Sequence, residues 1–581
     1  MKGGTMITRL NYCFSLVLFL FFTLPARSQD KYPQHYFINP LDIPISLAGT
    51  FGEIRSNHFH TGLDIRTDSR EGLPVHAAAA GYVCRINVSP YGYGHALYIR
   101  HPNGFVTVYG HLSRYNAQIA AYVKNKQYEL QKFAVDLYPK PDEFTVNKGD
   151  TVAFSGSTGG AEGPHLHFEI RDDKTEDPLN PFLFDYSVAD GIAPVIAGIS
   201  FYPLNDSSDV NGSHNPVYMK TVIKANGYAL SCPGGEVEAC GCVGIGIRTY
   251  DLARGSENRN GPYSEVLTDG TDTLYYQRMD RLSFASIRYV NGHVDYAAFK
   301  KMHETFEHSF LQDNDKLDIY RKLTNRGIIR FSKGVVHHLK YAVSDFQGNC
   351  STMQFDVRSA TAPASIFHDT VKYRGTINWK KAFDYRYRGM AIHIPAGAVF
   401  GNLRFNCSAE ADSQRTICPV YHVLNEYIPL NTSYTLKLAI PASLPDSLLR
   451  RAVVVQMEGS KISAVGGVYD SGSITAHPKT FGNFSVMLDL TRPIIKPVNI
   501  YKDKDMSRTA AIELQISDNL SGIAAYNAYI DGRWILMEFN PKKDIISYTF
   551  DNHVTSGRHH LKVVVADNVG NTNIYEADFT R

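Results

Sequence analysis

This chain has almost no net charge and very little tryptophan. Its 581 residues carry 59 Lys and Arg against 57 Asp and Glu, and the formal net charge is +2. There is no basic tract of the kind that neutralises a nucleic-acid backbone, so nucleic-acid binding is excluded. Tryptophan occurs twice and tyrosine 36 times. Short runs of Tyr, Val and Ile separated by Gly, Asn and Asp favour β structure.

Cysteine is also rare, with eight residues, one of which lies in the N-terminal apolar run. If that run is removed, seven remain, and an odd number leaves at least one unpaired thiol in an exported protein. Cys407 and Cys418 are close enough in sequence for a disulfide to close a hairpin. Cys232, Cys240 and Cys242 lack a nearby fourth ligand, so we expect a disulfide or free thiols there rather than zinc.

Only one apolar run approaches the length that crosses a membrane. Lys2 and Arg9 precede an apolar stretch over about 12–24, and a small-x-small site ends at residue 28. This order predicts a secretory signal peptide over residues 1–28. A transmembrane anchor is the alternative, but the run is short of the ~20 residues that a span needs. We therefore expect an exported chain without a membrane span after cleavage.

The remainder is too long for one core. Residues 29–188 are rich in Gly and His, and the more polar, helical segment over about 113–145 is interpreted as an insertion at their edge. Beyond them the pattern is mainly β, and the first module has a helical insertion near Tyr296–Arg326. We predict three immunoglobulin-like β-sandwich modules, over residues 193–358, 360–490 and 492–581.

An internal repeat relates the first and last of these modules. Residues 337–349, His-His-Leu-Lys-Tyr-Ala-Val-Ser-Asp-Phe-Gln-Gly-Asn, recur over 559–571 as His-His-Leu-Lys-Val-Val-Val-Ala-Asp-Asn-Val-Gly-Asn. Each copy predicts a strand that runs into an Asp-x-x-Gly-Asn turn near the end of a module. The two modules are therefore expected to be related β-sandwiches. No motif indicates a role for residues 360–490.

The N-terminal unit contains a His-x-His pair on a predicted strand. Alternate side chains of a strand share a face, so His165 and His167 point one way while Leu166 and Phe168 enter a core. Two imidazoles on one face suit one metal ligand and one catalytic partner. Glu169 shares this face, where a surface or structural carboxylate is favoured over a role behind a metal ligand.

Two further stretches complete the pattern. His60 and Asp64 are four residues apart, which places them on one face of a strand or a helix. Two imidazoles and one carboxylate leave a fourth position open for water, which is typical of catalytic rather than structural zinc. A Gly-His pair, Gly110-His111, lies between them. We interpret the other histidines as surface or hydrogen-bonding residues: His58, His76, His95 and His101.

In this order, these stretches resemble the lysostaphin/LytM-type family of zinc peptidoglycan endopeptidases over residues about 35–185. The resemblance implies a duplicated hybrid motif fold, a Gly-rich antiparallel sheet, and one Zn²⁺ per chain held by His60, Asp64 and His167, with His111 and His165 as catalytic histidines. The matching segments are Thr50-Phe51-Gly52, His60-Thr61-Gly62-Leu63-Asp64, Gly81-Tyr82-Val83, Gly92-Tyr93-Gly94-His95, Tyr109-Gly110-His111-Leu112, Lys148-Gly149-Asp150, Gly156-Ser157-Thr158-Gly159 and Gly163-Pro164-His165-Leu166-His167-Phe168-Glu169.

The resemblance implies hydrolysis of peptidoglycan stem-peptide cross-links or cross-bridges, in the periplasm or cell envelope of a diderm bacterium. The alternative is a non-catalytic LytM-like regulator or scaffold of cell-wall hydrolases. The C-terminal modules would then serve cell-wall or envelope protein partners, or act as spacers. Two features depart from the family pattern: a longer connection from His111 to Lys148, and His95 where a smaller polar residue is common. Asn57 or the 113–146 insertion is a candidate for occluding the site.

Overall fold

The computed structural model describes residues 32–581 except 187, 189, 225–226, 233–235, 254–257, 361–370 and 412–414. The expected signal peptide, residues 1–28, lies outside the described residues. None of the helices in the described part of the chain has the length and apolar character that crossing a bilayer requires.

The N-terminal unit is built on a nine-stranded sheet, accompanied by a three-stranded sheet of β5, β12 and β9. Its strands are β1 (Leu47–Gly49), β2 (Ile54–Arg55), β3 (His58–Phe59), β4 (Leu63–Arg66), β5 (Pro74–His76), β6 (Gly81–Val88), β7 (His95–Arg100), β8 (Phe105–Leu112), β9 (Arg114–Tyr115), β10 (Val135–Leu137), β11 (Thr145–Val146), β12 (Thr151–Phe154), β13 (His165–Asp172) and β14 (Pro178–Leu179).

Strand β13 lies between β4 and β8 near the middle of the nine-stranded sheet. Leu166, Phe168 and Ile170 on one face of β13 are fully buried in the core of the unit. The alternation seen in the sequence therefore sets which face of this strand carries the histidines.

The insertion at the edge of this unit contains helix α1 (Ala117–Leu130). Asn116 caps its N-terminus by accepting a hydrogen bond from the Ile119 backbone N–H at 3.0 Å. Ile119, Val123 and Gln127 follow at four-residue spacing and are buried, so one stripe of the helix packs on the core. A predicted helical segment is present here, and Gln131 ends it in the left-handed conformation.

The next unit has one sheet of thirteen strands, in which β19 also pairs with β27 and closes the sheet around a single core. The two sheets expected of a β-sandwich are therefore joined by hydrogen bonds into one sheet in this unit. The strands are β15 (Val195–Pro203), β16 (Asp209–Val210), β17 (Val217–Lys224), β18 (Gly227–Leu230), β19 (Val237–Leu252), β20 (Arg259–Asn260), β21 (Ser264–Asp269), β22 (Asp272–Arg278), β23 (Glu307–His308), β24 (Tyr320–Leu323), β25 (Ile329–Phe331), β26 (Val336–Ser344) and β27 (Cys350–Ser359).

The helical insertion of this unit is shorter than expected and begins earlier. It consists of α2 (Val290–His293) and α3 (Tyr296–Met302), and His303 ends α3 in the left-handed conformation. Beyond it, β23 pairs with β19 and buries Phe306 and Phe310 beside that pairing. Tertiary strand pairing overrides the local helical preference over the rest of 296–326.

The last two units are β structures with separate cores: the third has two five-stranded sheets and a two-stranded sheet, and the fourth has a four-stranded and a five-stranded sheet. The third unit comprises β28 (Gly375–Ile377), β29 (Phe383–Tyr387), β30 (Met390–Ile394), β31 (Leu403–Phe405), β32 (Cys407–Glu410), β33 (Val420–Val423), β34 (Thr435–Ala439), α4 (Asp446–Leu449), β35 (Ala452–Glu458), β36 (Lys461–Gly466), β37 (Val468–Asp470), β38 (Ser473–Ala476) and β39 (Gly482–Leu488). The fourth comprises β40 (Ile494–Pro497), β41 (Lys504–Asp505), β42 (Ala511–Ser517), β43 (Ile523–Ile530), β44 (Arg533–Ile535), β45 (Glu538–Asn540), β46 (Ile545–Thr549), β47 (Arg558–Asp567) and β48 (Thr572–Thr580).

No disulfide joins any of the seven cysteines that the structure describes. The hairpin disulfide between Cys407 and Cys418 is therefore not formed. Both side chains are buried in the apolar core of the third unit, and the Cys418 thiol lies 3.6 Å from the Ser485 hydroxyl oxygen. Buried cysteine here acts as a small apolar side chain.

The fourth unit returns to contact the first. The Tyr128 ring of α1 stacks on His553 with ring centroids 4.1 Å apart, and its hydroxyl donates to Asp551 at 2.9 Å. Lys124 forms an ion pair with the same carboxylate at 2.6 Å. Leu536 of the fourth unit joins the core of the N-terminal unit. The insertion helix thus serves as the docking surface for the end of the chain.

Candidate active site

The expected metal ligands lie on two adjacent strands and on the turn before one of them. β4 and β13 pair antiparallel with His167 opposite Asp64, so the two side chains share a face of the sheet. His60 lies on the turn between β3 and β4. Gly62 permits this turn to pack closely, because a Cβ there would lie 2.4 Å from the Phe168 carbonyl oxygen.

Three side-chain atoms converge at this point. His60 Nε2 lies 3.0 Å from Asp64 Oδ1 and 3.1 Å from His167 Nδ1, and His167 Nδ1 lies 2.9 Å from Asp64 Oδ1. Tetrahedral coordination with ~2.0 Å bonds separates ligand atoms by ~3.3 Å. The triangle therefore has the dimensions of three protein ligands around one metal ion, and all three residues are buried.

The second nitrogen of each ligand histidine has its own partner. His60 Nδ1 donates to the Thr50 carbonyl oxygen at 2.7 Å, and His167 Nε2 donates to Glu169 Oε1 at 2.8 Å. These bonds select the tautomers that leave His60 Nε2 and His167 Nδ1 with lone pairs facing Asp64. Protein contacts alone therefore fix the orientation of both imidazole rings.

Glu169 has no exposed surface, which removes the surface interpretation, and its contact with His167 places the carboxylate directly behind that ring. Its carboxylate accepts hydrogen bonds from the Thr61 and Tyr93 hydroxyls at 2.6 Å each and from Arg171 Nε at 2.6 Å. Burial opposes ionisation, but Arg171 and His167 hold the pKa of Glu169 well below its usual value.

Sequence reasoning missed three members of this network: Thr61, Tyr93 and Arg171. A signal for Arg171 was present, because it continues the alternation that places His165, His167 and Glu169 on one face of β13. Thr61 and Tyr93 approach from other parts of the chain, and no spacing rule predicts their contact.

His111 and His165 lie together beside the ligand triangle, with ring centroids 4.8 Å apart. His165 Nε2 is 3.4 Å from Asp64 Oδ1. Backbone carbonyls bind the opposite ring nitrogens: Thr158 O accepts from His111 Nδ1 at 2.8 Å, and Gly163 O accepts from His165 Nδ1 at 2.9 Å. Each ring therefore has its Nε2 available for a reacting group.

The backbone at His111 is in the left-handed region, with φ of 59°. A non-glycine residue seldom takes this conformation, and it costs about 1–3 kcal/mol where the surroundings enforce it. Here the enforcing contacts are the bond from the His111 backbone N–H to Tyr93 O at 2.8 Å and the ring bond to Thr158. Strain at this position accompanies the placement of the imidazole beside the cluster.

The charges of the cluster act on one another. Burial would raise the pKa of Asp64, but the charge of His60 and the hydrogen bonds from His165 and His167 hold it well below its usual value. Burial, followed by repulsion from His167 and His165, lowers the pKa of His111 to about 3. His111 is thus a neutral imidazole near pH 7, whose Nε2 can accept a hydrogen bond.

Arg55 is a further contact to a ligand that the sequence did not reveal. Its Nη2 donates to Asp64 Oδ2 at 3.1 Å and to Glu53 Oε2 at 3.2 Å. This leaves Asp64 Oδ1 as the atom that faces the histidines. Asn57, a candidate for occlusion, instead accepts a hydrogen bond from Asn291 Nδ2 at 3.0 Å.

The histidines assigned to other roles lie apart from the cluster. His58 is exposed and bonds the Ser56 carbonyl oxygen, while His76 contacts Asp42. His101 is buried and bonds Thr107. His95 stacks on Tyr115 at 5.9 Å between ring centroids, and burial lowers its pKa to about 4, so it belongs to the packing rather than to the rim.

Two family profiles match the chain: peptidase family M23 over residues 58–128 and the Zu5-like domain over 374–489. The DD-carboxypeptidase/endopeptidase Mpg of Neisseria meningitidis serogroup B is 35% identical over 122 residues, which are 21% of this chain and 22% of that protein. The peptidoglycan DD-endopeptidase ShyB of Vibrio cholerae is 32% identical over 111 residues, 19% and 20% of the two chains. This chain thus spans about a fifth of these relatives' length.

Among solved structures, the catalytic domain of the antimicrobial peptidase lysostaphin from Staphylococcus simulans is 25% identical. The match covers 23% of this chain and 88% of that domain, with a TM-score of 0.17. The stretch matched by the M23 profile contains His60, Asp64 and His111 and ends before His165 and His167. The N-terminal unit of this chain is a peptidase family M23 domain of the lysostaphin/LytM type.

Proposed function

We propose that this chain is an exported zinc metalloendopeptidase that hydrolyses peptide cross-links of bacterial peptidoglycan. The observation that supports this most directly is the convergence of His60 Nε2, Asp64 Oδ1 and His167 Nδ1 within 2.9–3.1 Å of one another. Proteins named as peptidoglycan DD-endopeptidases are 31–32% identical to this chain over 111 residues, which supports the same class of substrate. Export rests on the signal-peptide pattern of residues 1–28 and places the protein in the periplasm or cell envelope.

The donor set fits zinc. Two imidazole nitrogens and one carboxylate oxygen are the ligands of many catalytic zinc sites, in which a fourth position stays open. Both rings present a lone pair because Thr50 and Glu169 occupy their other nitrogens. When bound, Zn²⁺ would lower the pKa of water towards ~7 and polarise a carbonyl group.

His111 and His165 would supply the proton chemistry. Their rings stand side by side, with His165 Nε2 next to Asp64, so a scissile amide bound here would meet both imidazoles. One ring can orient the attacking water and the other can give a proton to the leaving amine or hydrogen-bond the oxyanion. The two assignments are equally compatible with the geometry.

Digestion of purified, cross-linked peptidoglycan tests the proposal. The full chain, stripped of metal and then reloaded with Zn²⁺, is expected to convert cross-linked muropeptides to monomers, and the stripped protein is expected to be inactive. The new amino and carboxyl termini identify the bond that is cut. A chain that binds no stoichiometric zinc and releases no products would overturn the proposal in favour of a non-catalytic regulator.

Glu169→Gln is expected to weaken zinc binding by about 10–100-fold while the fold is kept. The amide is a weaker acceptor for His167 Nε2–H, so the ligand nitrogen on the other side of the ring becomes less basic. The measurement is competition with a chromophoric chelator, and thermal unfolding of the metal-free protein reports the separate cost of leaving Arg171 without its carboxylate.

Glu162→Gln is the matched control, because Glu162 is an exposed carboxylate in the loop before β13. Its zinc affinity should equal that of the wild type. Equal affinity in the Glu169→Gln variant would mean that the buried carboxylate serves stability only.

A further inference from the structure

The repeat shared by the second and fourth units builds the same turn twice. Asp345 Oδ1 accepts a hydrogen bond from the Asn349 backbone N–H at 2.8 Å, and Asn349 Nδ2 donates to Asp345 Oδ2 at 2.6 Å. Asp567 and Asn571 repeat both bonds, each at 2.7 Å. A carboxylate is therefore fixed at the end of β26 and at the end of β47 in the same way.

Two more aspartates join each of these carboxylates from corresponding positions. Asp190 and Asp489 each precede by four residues the proline that leads into the first strand of the following unit. Asp251 lies at the end of β19, and Asp518 directly follows β42. In each triad, one carboxylate oxygen from every residue lies within 4.8 Å of the others. The chain thus gathers three acids at the entrance of two related units.

The first triad faces a small cavity that holds unpartnered polar atoms. Asn260 is 2% exposed, and neither polar atom of its side chain has a hydrogen-bond partner. It lies opposite Asp251 in the β19–β20 pairing, and Asp251 Oδ1 is also buried without a partner. Asn260 and all three acids line a cavity of about 30 Å³. Buried amides and carboxylates normally have hydrogen-bond partners. The unpartnered oxygen atoms here indicate a bound cation that is coordinated by oxygen.

No cationic side chain offsets the acids of the first triad within the described residues. The residues that line the cavity include no Lys, Arg or His, and none of the three acids has an ion-pair partner among the residues that the structure places. Burial, then repulsion from Asp345 and Asp190, raises the pKa of Asp251 to about 7. The three carboxylates and the amide oxygen of Asn260 together offer only oxygen atoms to a bound cation.

The second triad lies at the boundary of the third and fourth units, where the Ser521 N–H donates to Asp489 Oδ2 at 3.0 Å and the Gly522 N–H donates to Asp518 Oδ2 at 2.8 Å. Asp518 Oδ1 is buried without a partner, as is the hydroxyl oxygen of the adjacent Ser521, which is 9% exposed. Asn571 Nδ2 donates to the Asp489 carbonyl oxygen at 2.9 Å, which holds the incoming linker against the turn. An unpartnered oxygen again lies among three carboxylates.

We propose that each triad binds one Ca²⁺ ion: Asp190, Asp251 and Asp345 with Asn260 at the first site, and Asp489, Asp518 and Asp567 at the second. Carboxylate, amide and hydroxyl oxygens are the ligands that Ca²⁺ takes, and Mg²⁺ prefers to keep several waters, for which the first cavity has little room. Each ion ties the linker that enters a unit to two strand ends of that unit. Both sites are separate from the His60–Asp64–His167 cluster.

Calcium binding to the full chain tests the proposal. After removal of metals and reloading of the zinc site, equilibrium dialysis with elemental analysis is expected to find two Ca²⁺ per chain. Asp251→Asn and Asp518→Asn should each lose one ion, weakening that site by about tenfold or more, and the double variant should lose both. Addition of Ca²⁺ should raise the unfolding temperature of the wild type and leave that of the double variant unchanged.

Asp272→Asn and Asp544→Asn are matched controls, because both residues are exposed acids in the same two units. They and His60→Ala should keep two Ca²⁺ per chain. A wild type that binds no Ca²⁺ overturns the proposal, whether or not the chain cuts peptidoglycan. Unchanged stoichiometry in folded Asp251→Asn and Asp518→Asn variants, verified by circular dichroism, also overturns it.

Discussion

His165→Ala is expected to keep its zinc and to lose peptidoglycan hydrolysis by about 10²–10⁴-fold, the usual contribution of a positioned acid or base. His165 Nε2 stands 3.4 Å from Asp64 Oδ1, while Gly163 O holds the other ring nitrogen. Its ring is therefore next to the cluster without completing the triangle of donor atoms. Zinc content by elemental analysis and the rate of muropeptide release are measured on the same preparation.

His338→Ala is the control for this variant, because His338 is an exposed histidine of β26 in the second unit that pairs with Asp356 at the surface. It should match the wild type in both measurements. Hydrolysis by His165→Ala within about threefold of the wild type would remove His165 from the reaction. Loss of zinc along with activity would instead make it a ligand.

His60→Ala is expected to lose both zinc and hydrolysis. The substitution removes one of the three donor atoms and leaves Asp64 and His167 as a two-ligand set, so the affinity should fall by more than the ~10–100-fold typical of a residue behind a ligand. Elemental analysis after dialysis should find well under one zinc per chain, and muropeptide release should fall to background. Added zinc at high concentration should restore little activity.

Thermal unfolding without metal separates this effect from misfolding. Removal of the His60 ring takes away one favourable partner of Asp64, so the metal-free variant should unfold somewhat below the metal-free wild type, and only the wild type should gain stability from zinc. Retention of one tightly bound zinc by folded His60→Ala would show that the ion is held elsewhere in the chain.

Local periodicity predicted the face of β13 because one sheet face is buried there, and alternation is then enforced residue by residue. The ligand set His60, Asp64 and His167 followed from the family resemblance, because periodicity within one strand does not relate His60 to His167, 107 residues away. The periodicity of β13 also extended to Arg171, which was overlooked although it continues the same alternation.

Long-range pairing was the part that the sequence did not reveal. Arg55 reaches Asp64 through the shape of the β2–β3 turn, and the closure of the second unit depends on the pairing of β19 with β27. The segment after Met302 was expected to be helical but is mostly irregular, with short strands at Glu307–His308 and Tyr320–Leu323 and with Phe306 and Phe310 buried. Cys407 and Cys418 were judged by separation in sequence, which does not fix side-chain geometry.

The return of the fourth unit to helix α1 turns the four units into a ring. Tyr128 and Asp551 are 423 residues apart, yet the contact forms within one molecule, so its occupancy depends on effective concentration rather than on protein concentration. That concentration is greatest when the intervening joints hold the two surfaces at matching distance and falls when a joint is loose or misaligned. The contact is not confined to Tyr128 and Asp551, since Leu536 joins the core of the N-terminal unit and Lys542 Nζ donates to Ser157 O at 2.6 Å. The stiffness of the joints between the units therefore contributes to how firmly the fourth unit holds helix α1.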